Sequence, residues 1–157
     1  MINSFKQPQK IDIDNSLQLV KYYPYYKKSL IWYQDLTICK QVDNIDFAYD
    51  LTRLKNMYNY LAKKGECYYI KYKVKNRFVL VGDISLCEDK IGLAICKQYQ
   101  NLHIGRKCVD ALLERAKQLG IPKVDAEIYD FNTQSQKMFL AVGFVKTGNE
   151  MYSYFLK

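Results

Sequence analysis

The chain has 157 residues, is 49% hydrophobic and carries seven glycines and three prolines; we expect one packed domain over residues 1–157, and the composition excludes a disordered chain. No window approaches a membrane-spanning run and the first residues lack the apolar core of a signal peptide, so the chain reads as cytoplasmic with no membrane partner. The net charge of +8 sits mainly in residues 1–80, with 14 Lys+Arg against 7 Asp+Glu, but no stripe of arginine interleaved with aromatics forms, which argues against a nucleic-acid partner.

Residues 1–10 read as a loose terminus. Leu17 to Tyr23 has a strand's composition and Pro24 closes it. Tyr25 to Asp35 reads as helix, with Leu30, Ile31 and Tyr33 inward. Asp35 is placed to cap a short helix through Cys39 and Val42. Asp50 or Thr52 opens another, in which Leu51, Leu54, Tyr58 and Leu61 share a face and Gly65 ends the run. The period then changes to two. Residues 66–72 and 77–86 are strands around a Lys75-Asn76 turn. Strict alternation puts Phe78, Leu80, Ile84 and Leu86 on one face of the second strand, and Val79, Val81, Asp83 and Ser85 on the other. Lys71, Lys73 and Lys75 alternate along the hairpin as a solvated face that discourages edge pairing. Glu88-Asp89-Lys90 turns the chain into a third strand, residues 91–96.

Tyr99 to Gly120 is a loop running into a helix. Ile104, Cys108, Ala111, Leu112, Ala116 and Leu119 repeat at helical spacing, and Gly120 and Pro122 are a stop. Arg106 and Lys107 fall in the first turn, where the helix dipole disfavours cations. Either they are solvated surface residues, or an anion held by the free backbone N–H groups offsets them. Residues 123–129 form a strand, and strand–helix–strand implies a right-handed crossover with a locally parallel pair. Asn132 or Thr133 caps the next helix, with Gln136 available to complete a capping box from Thr133. Gly143 ends it, Phe144 packs back on the last turn, and residues 145–147 and 151–156 close the sheet. The fold class is α/β (α+β): a mixed, mostly antiparallel twisted sheet with a central parallel pair and helices on both faces. The five cysteines, Cys39, Cys67, Cys87, Cys96 and Cys108, form no CxxC pair, and their odd number fits reduced thiols. With His103 as the only histidine, no metal is expected.

Two of these stretches resemble signatures of the GCN5-related N-acetyltransferases, the GNAT superfamily. The first is Gln100-Asn-Leu-His-Ile-Gly105, similar to the family's pyrophosphate loop Gln/Arg-x-x-Gly-x-Gly/Ala, with His103 where the first glycine usually stands. A side chain there is tolerable in ordinary backbone and costly if φ is positive. The second is Asn132 to Phe144, a short helix ending in Gly-Phe. The match is specific from about Phe78 to Phe144.

The resemblance implies acetyl transfer from acetyl-CoA, as donor substrate, to a primary amine of a small molecule or peptide. Such a reaction needs an aligned donor, a polarised carbonyl and a deprotonated amine. The resemblance places the backbone of Leu93, Ala94 and Ile95 along the pantetheine arm. Gln100, Asn101, Leu102, His103, Ile104, Gly105 and Arg106 would hold the pyrophosphate. Asn132 and Ser135 would touch the arm; the ordinary alternatives are a helix cap for Asn132 and a small residue allowing close packing for Ser135. Phe139 occupies the position where a tyrosine commonly serves as general acid, and phenylalanine has no proton to give. The thiolate is then protonated by water or by Tyr129, Tyr152 or Tyr154, or the acid is dispensable, or the protein binds CoA without catalysing. Asp83 is the first candidate base and Glu127 the second, each with the ordinary alternative of an exposed or salt-bridged carboxylate. Fifteen tyrosines, many in the front half, offer either an aromatic pocket for a cationic acceptor or a core built with tyrosine plus a helix surface for homodimer contact.

Overall fold

The computed structural model describes residues 6–156. Its strands are β1 (Lys10–Asp14), β2 (Leu17–Lys21), β3 (Gly65–Val74), β4 (Arg77–Cys87), β5 (Lys90–Ile95), β6 (Lys123–Glu127), β7 (Val145–Gly148) and β8 (Met151–Phe155). The helices are α1 (Ser29–Trp32), α2 (Leu36–Asp43), α3 (Leu51–Lys64), α4 (Ile104–Gln118) and α5 (Thr133–Val142). The strands make one sheet in the order β1-β2-β3-β4-β5-β6-β8-β7. Every neighbouring pair is antiparallel except β5 and β6. This is the mixed sheet with a central parallel pair that the pattern predicts.

Local signals account for most boundaries. Asp35 accepts from Thr37 N at 2.9 Å and Asp50 from Arg53 N at 2.8 Å, so both helices start on an aspartate cap. Lys75 and Asn76 both have positive φ, as a tight two-residue hairpin turn requires. Asn132, not Thr133, caps α5, accepting from Ser135 N at 3.3 Å. Gln136 reaches back to the carbonyls of Tyr129 and Asp130 instead of forming a box with Thr133. Two expectations change. The stretch from the end of the expected loose terminus at Lys10 to Asp14 forms a strand, β1, that the pattern does not announce; residues 1–5 lie outside the described residues. The helix expected over residues 25–35 shrinks to α1, whose N-cap, Lys28, offers no side-chain bond. The preceding tyrosines pack sideways instead: Tyr22 stacks on Tyr58 at 4.8 Å and Tyr23 meets Tyr69 edge-on at 5.3 Å.

The sheet carries a core on each face. One joins Leu19, Ile70, Val81, Ile84 and Phe144 to α4 through Cys108, Leu112 and Ala116. The other is aromatic and lies under α1, α2 and α3: Trp32, Tyr33, Tyr49, Tyr58 and Tyr69 pack with Leu54, Leu80 and Ala94. Of the front-half tyrosines, Tyr33, Tyr49, Tyr58, Tyr68 and Tyr69 are buried, Tyr22, Tyr26 and Tyr72 pack partly against the two cores, and Tyr23, Tyr25 and Tyr60 are exposed. A buried ion pair pins α4 to β3. Arg115 Nη2 lies 2.8 Å from Glu66 Oε2 and its Nε 3.0 Å from Oε1, while the Tyr68 hydroxyl donates to Oε1 at 2.6 Å. With side-chain exposures of 5% and 11%, neither charge has water to fall back on. Arg115→Leu is expected to cost about 3–5 kcal/mol, because it strands the Glu66 carboxylate. Urea unfolding should show a lower midpoint at unchanged m, and an added Glu66→Leu should recover most of the loss.

Candidate active site

β5 and β6 run parallel but pair at a single position, Lys90 with Asp125. Beyond it they diverge, and a cavity of about 700 Å³ opens between Gly92–Ile95 on one strand and Glu127–Ile128 on the other. The second edge of β5 carries no strand partner there; the Ile95 carbonyl takes the Gln100 side chain, and the edge's remaining outward backbone groups are open to a ligand. The N-terminal turns of α4 and α5 line the cavity together with Gln41, Asp43, Tyr33 and Tyr49, and Gln41 accepts from the Gln100 side chain of the loop before α4 at 3.4 Å.

The loop before α4 shows why glycine suits it. His103 has φ +63° and Asn101 φ +64°, both left-handed. The histidine therefore bears a strain that glycine would not, about 1–2 kcal/mol for a side chain in this region. Gly105 lies against β5: a Cβ built on it would sit 3.2 Å from Leu93 Cδ2 and 3.3 Å from Ile95 Cδ1. His103, Ile104, Gly105 and Arg106 all line the cavity, which gives the α4 N-terminus, with its unpaired N–H groups, a place to meet an anion. Lys107 has another use, an ion pair with Asp14 at 2.9 Å that holds the Asp14 carboxyl below its usual range. Arg106 forms no ion pair among the described residues and stands at the cavity's rim. The Gln100 side chain donates to the Ile95 carbonyl at 2.8 Å and so ties the loop to the end of β5.

Asp83 is 5% exposed and lines the cavity. It gets there through a β-bulge. Ile70 pairs with Gly82 and Lys71 with Leu80, leaving Val81 as the extra residue. The bulge corrects the expected faces of β4. Leu80 packs in the aromatic core, Val81 joins Ile84 and Leu86 in the other, and Asp83 turns toward the helices α1 to α3. Gly82 permits this, because a side chain there would strike the Ala94 carbonyl oxygen of β5. Asp83 Oδ2 accepts from the Tyr33 hydroxyl and from the Tyr58 hydroxyl, each at 2.8 Å. Burial pushes the carboxyl up to about 6, against the pull of the two hydroxyl donors.

A model of the acetyltransferase (GNAT) family matches residues 30–144, well over half of the chain. The chain belongs to the GNAT acetyltransferase family. Among curated proteins, none matches it. Solved structures share its fold. A domain from Methanocaldococcus jannaschii DSM 2661 is 23% identical, with a TM-score of 0.79 over 91% of this chain and 100% of that one. The spermidine N-acetyltransferase of Vibrio cholerae, solved with CoA and spermine, is 13% identical, with a TM-score of 0.73 over 89% and 93%. The Salmonella typhimurium acetyltransferase that modifies the N-terminal serine of ribosomal protein L7/L12 is 15% identical, with a TM-score of 0.70 over 94% and 99%.

In this GNAT chain Leu93, Ala94, Ile95, Gln100, Asn101, Glu127, Asn132, Ser135 and Phe139 all line the same cavity as the α4 turn and Asp83. Leu102 borders a separate small cleft beside Asp14 and Lys107. Tyr129 is not among the lining residues and stacks on Phe131 at 5.8 Å. Tyr152 and Tyr154 are also absent from the lining, and Tyr154 packs on Phe144. Phe139 is buried and meets Phe144 edge-on at 5.0 Å. Sequence reasoning passed over Asp43, Tyr49 and Gln41 as site residues. Asp43 Oδ2 accepts from Tyr49 at 3.0 Å and from Arg53 at 2.8 Å, contacts that no local pattern announces. Among the described residues no cluster of three or more His, Cys, Asp or Glu is placed to hold a metal ion. Gly105→Glu would push a negative side chain between α4 and β5. CoA binding by calorimetry should weaken by ~100-fold or more, from lost space and like-charge repulsion.

Proposed function

We propose that the protein is an acetyl-CoA-dependent N-acetyltransferase that acetylates a primary amine of a small molecule or peptide by direct attack in a ternary complex. The observation that carries this reading is one cavity that joins an anion-cradling helix start, an open strand edge and a buried carboxylate. Acetyl-CoA fits those parts by their chemistry. The α4 N-terminus and Arg106 suit its pyrophosphate, and the free edge of Leu93 to Ile95 suits the amides of its arm. The carboxylates of Asp43, Asp83 and Glu127 line the cavity, so a cationic amine is the acceptor these charges favour.

Asp83 sits opposite Ala94 in the β4–β5 register, beside the segment assigned to the arm. It is the base in this reading. It takes one proton from the bound ammonium and so frees the lone pair for attack; the second leaves the nitrogen for water as the new N–C bond forms and the thioester C–S bond breaks. The departing thiolate takes its proton from water, since Phe139 has none to give. That same phenylalanine supports a second reading, a non-catalytic CoA-binding or sensing protein of the same fold. Acetylation of a panel of di- and monoamines, run on protein whose melting point rises with acetyl-CoA, separates the two. Saturating ligand at ~100 times its dissociation constant adds about 2.7 kcal/mol, a shift of several degrees.

The base assignment has a pH signature. Asp83 works ionised, so kcat/KM is expected to rise with pH through about 6 and then level. Asp83→Asn should remove that inflection and leave CoA affinity unchanged. Stability runs the other way. Between the ordinary 3.8 and about 6 the folded state holds the Asp83 proton more tightly than the unfolded state. The Asp83 contribution to stability therefore declines as pH rises through that window, and Asp83→Asn should flatten the dependence in a series of unfolding curves.

A further inference from the structure

We infer that Tyr33 and Tyr58 are positioning residues that clamp Asp83 by one oxygen, Oδ2, and so present the other, Oδ1, as the proton acceptor facing the amine. The inference rests on the reading of Asp83 as the base. Its ground is geometric. The two hydroxyls come from different elements, one from the turn after α1 and one from the middle of α3, 50 and 25 residues from Asp83 in sequence. Both converge on Oδ2 at 2.8 Å. Oδ1 takes no hydrogen bond from the described residues. Yet the one sealed side-chain polar atom without a partner among the described residues is Ser29 Oγ. Oδ1 is therefore reached by solvent, and Asp83 lines the cavity. Each carboxylate oxygen thus has a separate task, one anchored in protein and one left for the substrate.

The clamp also answers an electrostatic problem. The groups around Asp83 are Tyr33, Tyr58 and, from β3, Tyr69 and Cys67; from β5 it faces Ala94. None is a cation. Burial alone would drive the carboxyl toward its neutral form, useless as a base. Two hydroxyl donors favour the charged form and oppose that drive. The tyrosines are themselves held. Tyr33 packs tilted against Tyr49 at 4.9 Å, and its carbonyl accepts from Tyr49 N at 2.9 Å. Tyr58 lies between Tyr22 at 4.8 Å and Tyr69 at 5.5 Å. Neither ring is free to swing away, so the direction of Oδ1 is fixed before substrate arrives.

Tyr33→Phe and Tyr58→Phe remove one donor each and keep the ring. In protein carrying 13C-labelled aspartate, with the Asp83 signal assigned against Asp83→Asn, the carboxyl titration midpoint of the ligand-free protein is expected to rise by about one unit in either variant. The kcat/KM inflection should rise by the same amount, with the KM for acetyl-CoA unmoved. A midpoint unmoved in both variants overturns the clamp, whatever happens to rate. So does a fall in kcat with no displacement of the pH profile, the mark of a merely structural role. A midpoint that rises while neither these variants nor Asp83→Asn alters the wild-type pH profile sinks the base reading, and the inference with it. The two single variants are separate tests, so misfolding of one leaves the other to decide.

Discussion

A single backbone bridge, Lys90 with Asp125, is the constraint on which this architecture turns. Parallel strands in a continuous sheet are normally buried and bonded along their length. Here the crossover through α4 brings β6 beside β5 and bonding stops after one register pair. Everything used for the proposed chemistry lies in the wedge that results. The cavity, the open edge of β5 and the convergence of the α4 and α5 N-termini are one geometric fact seen from three sides. The Arg115–Glu66 pair and the β1–α4 contact through Lys107 and Asp14 then fix α4 against the sheet, so the wedge keeps its angle.

The second determinant is a local fault in β4. One extra residue at Val81 reverses which side chains face which core, and Gly82 beside it lets β5 approach. The cost is an interrupted ladder in the middle of the sheet. The result is a carboxylate at the floor of the cavity, in a layer otherwise built of tyrosine rings and small apolar side chains. A strand that alternated without fault would put Leu80 on one face with Ile84 and Leu86, and Val81 on the other with Asp83.

Much of this was legible in the chain, for a physical reason. Elements whose signals are local announce themselves: an aspartate at a helix start, Lys75-Asn76 at a hairpin, Gly120 and Gly143 past helix ends. The loop from Gln100 to Gly105 was legible too, since its demand on the backbone is written in adjacent residues; the φ of His103 shows the demand is real. What stayed hidden depends on residues far apart. The bulge at Val81 breaks a period that any strand pattern assumes. Tyr33 and Tyr58 look like any inward aromatic until the fold aims their hydroxyls at Asp83. Lys107, read as solvated or as offset by a backbone-held anion, is exposed and pairs with Asp14, 93 positions away. Helix α1 was overestimated because helical spacing and a cluster of tyrosines that pack in several directions give similar strings.

An open row of backbone donors and acceptors is ordinarily a hazard to a protein, since any extended chain can pair with it and seed aggregation. This protein keeps such an edge on β5 within a cavity, over a stretch from Gly92 to Ile95 whose alternate residues bond to β4 and whose Ile95 carbonyl takes the Gln100 side chain. A strand needs a berth about 4.8 Å wide and room for side chains on both faces. A slender, unbranched chain of amides needs far less. An open edge this short, set in the side of a cavity, offers an extended chain less to pair with than a free edge strand would.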